Sequence, residues 1–174
     1  MALLDIVEYP DPFLQTVAKP VENIDDELKT LVNDMAETMY AAPGVGLAAI
    51  QVGVDKALVV IDISDPEVPE KDLKVLINPK VTSMEGEILS EGEGCLSFPD
   101  FRADVTRAQK VTVEYTDLDG NHIVADAEDF LAIVFQHEID HLLGKTFFEL
   151  ASPLKRDMYK KKLKKQAKMD QMNG

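Results

Sequence analysis

Two histidines and a glutamate stand close together in the segment Gln136-His137-Glu138-Ile139-Asp140-His141. On a helix, His137 and His141 would lie on one face because residues four apart are neighbours there, so both rings could reach one cation. Glu138 would then sit beside that cation, where a carboxylate can accept a proton from an activated water. The spacing therefore predicts a catalytic metal site of a hydrolase. The alternative is two chance histidines on a polar helix face.

A catalytic site of this kind needs three protein ligands and one position for water, so a third ligand must be found. Downstream of the histidines, Gly144 continues the metzincin pattern, but Phe147 stands where that pattern has its last histidine. Glu149 follows His141 too closely to begin a separate helix. The usual downstream ligands of zinc proteases are therefore disfavoured.

The upstream candidate is Cys95, the only cysteine of the chain, which follows glycines at 92 and 94. Glycines allow the backbone to turn tightly near a buried object. A thiolate is a good ligand for zinc or ferrous iron, whereas a lone cysteine is otherwise most often a small core residue. We favour the ligand role for Cys95 because the site lacks a third donor.

A third segment of interest is the run of small residues from Gly44 to Gln51. It matches the Gly-x-Gly-x-x-Ala dinucleotide fingerprint, but that fingerprint follows a strand, whereas this segment follows a helical pattern and Pro43. A loop with so little bulk would let a substrate backbone approach the metal, with the amide of Gln51 as a donor to a developing oxyanion. A plain turn of small residues is equally compatible with the pattern.

The elements that position these segments can be inferred from hydrophobic spacing. Asp25 is a candidate N-cap for a first helix that ends before Pro43. Strands are expected at 57–63, 74–77, 80–89, 110–115 and 122–125, the last two joined by a turn at 117–120. The apolar stripe of the first helix consists of Leu28, Leu31, Val32, Met35 and Met39.

Two further helices are expected after the strands. The stretch 127–143 changes to a helical period and is closed by Gly144, and the segment 153–168 forms a final helix. These elements indicate an α+β fold, with mainly antiparallel sheets around a central metal-binding helix, an N-terminal helix and a C-terminal helix. The side chains expected to share one side are Phe130, Leu131, Val134, Phe135 and Leu142 in the central helix, and Leu154, Met158, Tyr159 and Leu163 in the last one.

Composition agrees with a single globular domain of 174 residues, 45% of them hydrophobic. We expect residues 1–152 to form a metallohydrolase catalytic domain and residues 153–174 a basic helical extension of it. The start of the chain lacks the pattern of a secretory signal, and no apolar run is long enough to span a membrane, so we expect a cytoplasmic protein without a membrane partner. The net charge of −14 disfavours nonspecific binding to nucleic acid, including DNA.

The segments 44–51, 93–97 and 136–141, in this order and spacing, resemble the three motifs of the peptide deformylases. The resemblance extends to Tyr9-Pro10-Asp11-Pro12, to Met39-Tyr40, and to Arg102 with Arg107-Ala108, so that it covers about residues 5–150. The departures, at Ile50, Phe98 and Val134, bear only on substrate preference and inhibitor fit.

The resemblance implies removal of the N-formyl group from the terminal methionine of new polypeptides, with release of formate. It also implies a metal held by Cys95, His137 and His141. The residue chemistry is consistent with this reaction, since hydroxide formed from an activated water would attack the formyl carbon while Glu138 acts as general base and then general acid. Gln51 and, by family analogy, the backbone N–H of Leu96 would stabilise the oxyanion.

By the same resemblance, substrate contacts are expected from two small-residue segments and from the central helix. Glu93 and Arg102 could also pair to fix the cysteine loop, although surface pairing is as plausible from the sequence. The divalent ion could be iron, zinc, nickel or cobalt on chemical grounds, and the resemblance points to Fe²⁺. The expected contact residues are Gly44, Val45, Gly46, Glu93, Gly94, Arg102, Ile133 and Val134, of which Val45, Ile133 and Val134 would line a methionine pocket or simply pack in the core.

Two other readings stay open at this point. A zinc endopeptidase could use the same helix, and a structural metal module could close its site with His122, the one remaining histidine, although that residue is better placed as an exposed neighbour of a turn. The segment from Pro153 onward carries eight Lys or Arg against two Asp. This basic helix could contact ribosomal RNA, where nascent chains emerge, or could simply be a solvated surface.

Overall fold

The computed structural model describes residues 2–173 and arranges them as three α-helices, seven β-strands and three short 3-10 turns. The predicted α+β class is confirmed by this mixture of helices and antiparallel sheets. The elements are α1 (Asp26–Ala41), β1 (Gly46–Ala48), β2 (Leu58–Ile61), β3 (Lys74–Glu85), β4 (Ile88–Gly94), β5 (Arg102–Arg107), β6 (Lys110–Thr116), β7 (His122–Glu128), α2 (Asp129–Leu142) and α3 (Pro153–Asn173), with 3-10 turns at Pro12–Gln15, Ala49–Val52 and Phe147–Leu150.

The strands form two antiparallel sheets. One has five strands in the order β1-β2-β3-β6-β7, and the other pairs β4 with β5. Helix α2 packs on the larger sheet through a core that includes Ala48, Val59 and Phe135, and it contacts the smaller sheet through Glu93 and Arg107. The central helix thereby packs against both sheets, and its two histidines, His137 and His141, are buried.

Helix α1 follows the sequence prediction closely. The Oδ1 atom of Asp25 accepts a hydrogen bond from the backbone N–H of Leu28 at 2.9 Å, which satisfies one of the free donors of the first turn. Leu28, Val32, Met35 and Met39 are all buried, so the apolar stripe faces the core as expected. The helix therefore anchors the segment that leads into β1.

The strand boundaries differ from those expected from the sequence. The expected break between 77 and 80 is absent, because Asn78 adopts a left-handed conformation (φ 52°) and β3 continues through a shift in register. The expected strand 80–89 is instead divided at Gly86 (φ 67°), after which β4 enters the second sheet. Strands β1 and β5 had not been expected.

Two apolar side chains of the helical predictions also lie elsewhere. Phe130 was expected on the buried side of the central helix but is 52% exposed, because it lies in the first turn of α2, where the helix begins. In α3, Leu154 and Met158 were expected to pack with Tyr159 but are exposed, because Tyr159 is the buried contact of that helix with the aromatic cluster around Phe98 and Phe101. Helix α3 begins at Pro153, where the basic extension was expected to begin. Among residues 2–173, no helix has both the length and the apolar character needed to cross a membrane.

Candidate metal centre

Helix α2 presents His137 and His141 on successive turns of one face. Both side chains are buried, and their ring centroids are 5.2 Å apart. The helix runs unbroken from Asp129 to Leu142 and is held on the sheet by Phe135, Ile139 and Leu142. Tertiary packing of these apolar residues therefore fixes the direction in which the two imidazoles point.

The third donor comes from the loop that follows β4. The Sγ atom of Cys95 lies 3.4 Å from Nε2 of His141, and the donor atoms of Cys95, His137 and His141 all lie within 4.8 Å of one another. A Cβ at Gly94 would lie 2.9 Å from Nη1 of Arg102, so the exposed arginine side chain packs directly over the backbone before the cysteine. The structure thus brings together the three residues for which a ligand role was predicted, and the group could hold a metal ion.

The protonation chemistry of the two histidines fits a cation between these donors. Burial lowers the pKa of His137, but hydrogen bonds with Cys95 and Glu93 outweigh it and hold that pKa well above the usual value. Positive charge is therefore stabilised beside the Cys95 sulfur. Burial, and next the charge of His137, lower the pKa of His141 well below the usual value, so its ring is neutral and its nitrogen lone pair is free for a metal. One sulfur and two imidazole nitrogens suit a borderline divalent ion such as zinc or ferrous iron.

Glu138 lies beside the donors as the sequence pattern suggested. It is 3% exposed, and its Oε2 atom has no hydrogen-bond partner among the described residues. Burial raises its pKa to about 7, although the charge of His137 acts in the opposite direction. A carboxyl group with a pKa near neutrality can both take up and release a proton, as a general base that becomes a general acid must do.

Gly46 provides the space that Glu138 occupies. A Cβ at position 46 would lie 2.8 Å from Cγ and 2.9 Å from Cδ of Glu138. The small-residue segment is therefore not a plain loop, because it forms β1 and a 3-10 turn that pack directly against the glutamate. Gly44 makes a similar approach to Leu96, whose Cδ1 would be 3.2 Å from an added Cβ.

The side-chain amide of Gln51 faces the cysteine. Its Oε1 atom accepts a hydrogen bond from the backbone N–H of Ala48 at 3.0 Å, and its Nε2 atom lies 3.2 Å from Oγ of Ser97 and 3.4 Å from Sγ of Cys95. Because both ends are held, the amide group has a defined orientation at the donor cluster. Ser97 is fully buried and was not singled out in the sequence.

The candidate substrate residues differ in exposure. Val45 is 39% exposed at the end of the segment that leads into β1, whereas Ile133 and Val134 are buried on α2. Val134 packs in the main core with Phe135 and Ile139, so a role in core packing is evident for this residue. Their contribution to a methionine pocket stays a prediction.

The expected pairing of Glu93 with Arg102 is wrong. The Glu93 carboxylate is buried and accepts hydrogen bonds from Nε (2.9 Å) and Nη2 (2.5 Å) of Arg107 and from Nδ1 of His137 (2.6 Å), and none from Arg102. Arg102 is exposed instead, and its Nη1 donates to the carbonyl oxygen of Gly92 at 3.1 Å. The partner of Glu93 is therefore Arg107, five positions after the expected Arg102.

Sequence reasoning missed the roles of Arg107 and Asp140. Both belong to the segments on which the family resemblance was drawn, but arginine does not bind metals, and Asp140 faces Arg107 and lies outside the group of donors. Arg107 is the last residue of β5, and its Nη1 lies 3.3 Å from Oδ2 of Asp140 on α2. Strict alternation in β5, with positions 103, 105 and 107 buried, was the available signal that this arginine points inward.

A fourth protein ligand is not found among residues 2–173. His122 begins β7 far from the cluster in the chain, with a 65% exposed side chain that lies 3.1 Å from Glu114. Phe147, at the position of the last metzincin histidine, is buried with its ring centroid 5.5 Å from that of His137. A structural site closed by four protein donors is therefore not supported.

Comparisons with known proteins agree on one family. The polypeptide deformylase family matches residues 3–157. The chain is 51% identical to a peptide deformylase of Desulfosudis oleivorans over 168 residues, which are 97% of this chain and 96% of the relative. It is 49% identical to a peptide deformylase of Pseudomonas aeruginosa over 166 residues, 95% of this chain and 97% of the relative.

Solved structures show the same likeness. A peptide deformylase from Legionella pneumophila is 46% identical with a TM-score of 0.87, and the match covers 97% of each chain. A peptide deformylase from Ehrlichia chaffeensis in complex with actinonin is 38% identical with a TM-score of 0.88, over 95% of this chain and 98% of that one.

Proposed function

The chain belongs to the polypeptide deformylase family and is a hydrolase that removes the N-formyl group from nascent peptides, and from this premise we propose which of its residues perform the reaction. Cys95, His137 and His141 hold one divalent metal ion, and Glu138 moves the protons. The observation that carries this assignment is the meeting of three donor atoms within 4.8 Å beside a buried carboxylate whose Oε2 has no partner in the described structure.

The proposed reaction is hydrolysis of a formyl amide. When bound, the metal supplies a Lewis acid that activates a water molecule and polarises the formyl carbonyl group. Glu138 accepts a proton from that water as the new carbon–oxygen bond forms. It then delivers the proton to the nitrogen as the carbon–nitrogen bond breaks, so that formate and a free amine leave. The carboxylate of Glu138 is buried, and its Oε2 atom has no partner among the described residues, so this oxygen is available for both steps.

The developing charge on the carbonyl oxygen needs hydrogen-bond donors. Nε2 of Gln51 is already oriented by the contact of Oε1 with Ala48, and the backbone N–H of Leu96 follows the cysteine directly. We assign both as donors to this oxygen. Each preorganised donor of this kind contributes about 3 kcal/mol to stabilisation of the transition state.

Substrate binding is assigned to the segments that flank the donors. Gly44 and Val45 precede β1 and Gly46 begins it, and the outer edge of β1 has no strand partner in the described sheet. Gly94 and Arg102 belong to the β4–β5 hairpin, whereas the side chain of Glu93, also expected to contact substrate, is instead engaged by Arg107 and His137. Ile133 and Val134 precede His137 by one turn of α2, and we assign them to the pocket for the methionine side chain.

We propose Fe²⁺ as the physiological ion. A thiolate with two imidazoles suits iron as well as zinc, nickel and cobalt, and the family resemblance points to iron. Anaerobic purification followed by metal analysis tests this assignment. Activity that follows the iron content and declines in air is expected, whereas activity that follows zinc and ignores oxygen would contradict it.

The test of the function is formate release from a formyl-Met peptide by the metal-loaded protein, with the unformylated peptide as control. We expect formate in stoichiometric amount with the free amine, and no cleavage of the control. Cleavage of an internal bond in the unformylated peptide would support the endopeptidase alternative instead.

We further propose that α3 contacts the ribosome, consistent with a cytoplasmic protein whose substrates are nascent chains. Five of its lysines (160, 161, 162, 164 and 165) are exposed, so their charge is available to phosphate groups. Deletion of 153–174 is an unsuitable test, because it would also remove the buried Tyr159, whose hydroxyl donates to the carbonyl oxygen of Pro99 at 2.8 Å. Replacement of those five lysines by glutamate should abolish salt-sensitive ribosome binding, and unchanged binding would exclude α3 as the contact.

A further inference from the structure

The buried hydrogen bonds behind His137 continue well beyond the metal donors. The Nδ1–H group of His137 donates to Oε1 of Glu93 at 2.6 Å, which leaves Nε2 of the ring for the metal. The Glu93 carboxylate is buried and also accepts two hydrogen bonds from the Arg107 guanidinium, so it faces His137 as an acceptor. Glu93 therefore defines both the tautomer and the tilt of His137.

Arg107 controls where that carboxylate lies. It binds both oxygens of Glu93 in a paired geometry, and its side chain is 3% exposed. Two parallel hydrogen bonds fix a planar guanidinium and a carboxylate relative to each other, which a lysine cannot do. The position of Glu93 is thus set by Arg107 rather than by its own flexible chain.

Asp140 binds the one guanidinium nitrogen of Arg107 that Glu93 does not bind. Its Oδ2 atom lies 3.3 Å from Nη1, and its side chain is 29% exposed at a surface groove lined also by Val81, Met84 and Leu150. Asp140 stands three residues after His137 on α2. The contacts therefore run from His137 to Glu93, on to Arg107, and back to α2 at Asp140, about one turn further along the helix. This closed loop ties β4 and β5 to the metal-binding face of the helix.

A second pair of hydrogen bonds joins α2 to the backbone just after β5. The side chain of Gln136 accepts a hydrogen bond from the backbone N–H of Ala108 at 3.0 Å and donates to its carbonyl oxygen at 2.8 Å. Ala108 follows Arg107 directly, so the backbone that carries the arginine is attached to α2 independently of Asp140. By contrast, Nδ1 of His141 has no partner among the described residues. The contact network thus orients one of the two histidines.

We propose that Arg107 and Asp140 are positioning residues for the metal centre, which hold Glu93 against Nδ1 of His137 and thereby aim Nε2 at the ion. Neither residue is assigned a contact with metal or substrate. The proposal rests on the ligand set given above, but it concerns metal retention and ligand geometry, which are measured without substrate.

The test compares Asp140→Ala, Asp140→Asn and Arg107→Lys. Each variant is loaded with Co²⁺, and release of the metal to an excess of chelator is followed together with the visible absorption bands that report ligand geometry. Loss of a partner behind a metal-binding histidine commonly weakens metal binding about 10- to 100-fold. We expect release at least about tenfold faster, with shifted bands, for Asp140→Ala and Arg107→Lys. Asp140→Asn should restore slow release, because its side-chain oxygen can still accept from Nη1.

Asp126→Ala is the matched control. Asp126 also accepts one side-chain hydrogen bond, from Thr112 at 2.7 Å, but lies exposed on β7. The Asp126→Ala variant should release Co²⁺ at the same rate as the unmodified protein and show the same visible absorption bands. If Arg107→Lys does not fold, the two Asp140 variants still decide the matter. Unchanged release and bands in Asp140→Ala, or an equal defect in Asp140→Asn, would overturn the proposal. Failure of the proposed function would show separately, as absence of formate release by the unmodified protein.

Discussion

Replacement of Gly46 by alanine should inactivate the enzyme by displacing Glu138. The added Cβ would lie 2.8 Å from Cγ and 2.9 Å from Cδ of the glutamate, below the distances at which real Cβ atoms make contacts. Ordinary contact begins near 3.4 Å, so the two groups must separate by about 0.6 Å or more. Rotation of the carboxylate about the Cγ–Cδ bond moves neither of these two carbon atoms, so it cannot relieve the contacts in this buried side chain.

A displacement approaching 1 Å at a catalytic group costs about 100-fold in rate. We therefore expect kcat for formate release from a formyl-Met peptide to fall by about that factor, while metal content stays unchanged. Because the effect acts through Glu138, Gly46→Ala should cost less than about threefold when Glu138 is already replaced by glutamine.

Gly120→Ala is the control for a generic loss of stability. No heavy atom lies within 4 Å of an added Cβ there, but the positive φ of 87° makes alanine unfavourable by about 1 kcal/mol. This variant should lose some stability and keep its kcat. The reasoning would be refuted if Gly46→Ala raised KM and left kcat intact, since that pattern would mean that Gly46 serves only the substrate.

Three further predictions concern the site and its support. Glu138→Gln should keep the metal and lose about 100- to 10,000-fold in kcat, measured as formate release with metal content determined in parallel; full activity would exclude proton transfer by Glu138. Removal of the metal by a chelator should make Cys95 react with iodoacetamide at least about tenfold faster, and equal rates with and without metal would argue against a metal–sulfur bond. Tyr40→Phe should destabilise the metal-free protein by about 1 to 2 kcal/mol in urea unfolding at pH 7, because the Tyr40 hydroxyl donates to the buried Asp62 at 2.6 Å. Burial opposes ionisation of Asp62, but hydrogen bonds from Ser64 and Tyr40 lower its pKa, so this stabilisation is present at neutral pH and is lost as the pH falls from the ordinary carboxyl pKa through the lowered one; a difference that did not shrink on acidification through that range would contradict it.

Local patterns predicted those parts of the fold in which one element determines its own structure. The cap at Asp25 and the stripe from Leu28 to Met39 required only helical spacing, and the pair His137 and His141 required only the four-residue repeat. The prediction of a strand break near Asn78 was wrong. The left-handed conformation of this residue is held by side-chain hydrogen bonds with the backbone of Val21, 57 positions away, which local sequence does not reveal.

The metal donors of the candidate site could be predicted because their residue types indicate metal binding. The hydrogen-bond partners of these donors were harder to predict because they depend on which strands pair. Cys95 could be chosen as a donor because thiolates bind metals, and the structure brings it to the histidines. Arg107 was not chosen as the partner of Glu93 because no strand was expected over 102–107, and only in a strand do positions 103, 105 and 107 share one face. Only the pairing of β4 with β5 turns position 107 toward the buried carboxylate.

X-ray absorption at the edge of the bound metal tests the central assignment most directly. The account predicts one sulfur and two imidazole nitrogens from the protein, with the sulfur contribution lost in Cys95→Ser and the rest kept. A spectrum without sulfur in the unmodified protein, or one with a third imidazole, would contradict the assignment of Cys95, His137 and His141 as the ligands.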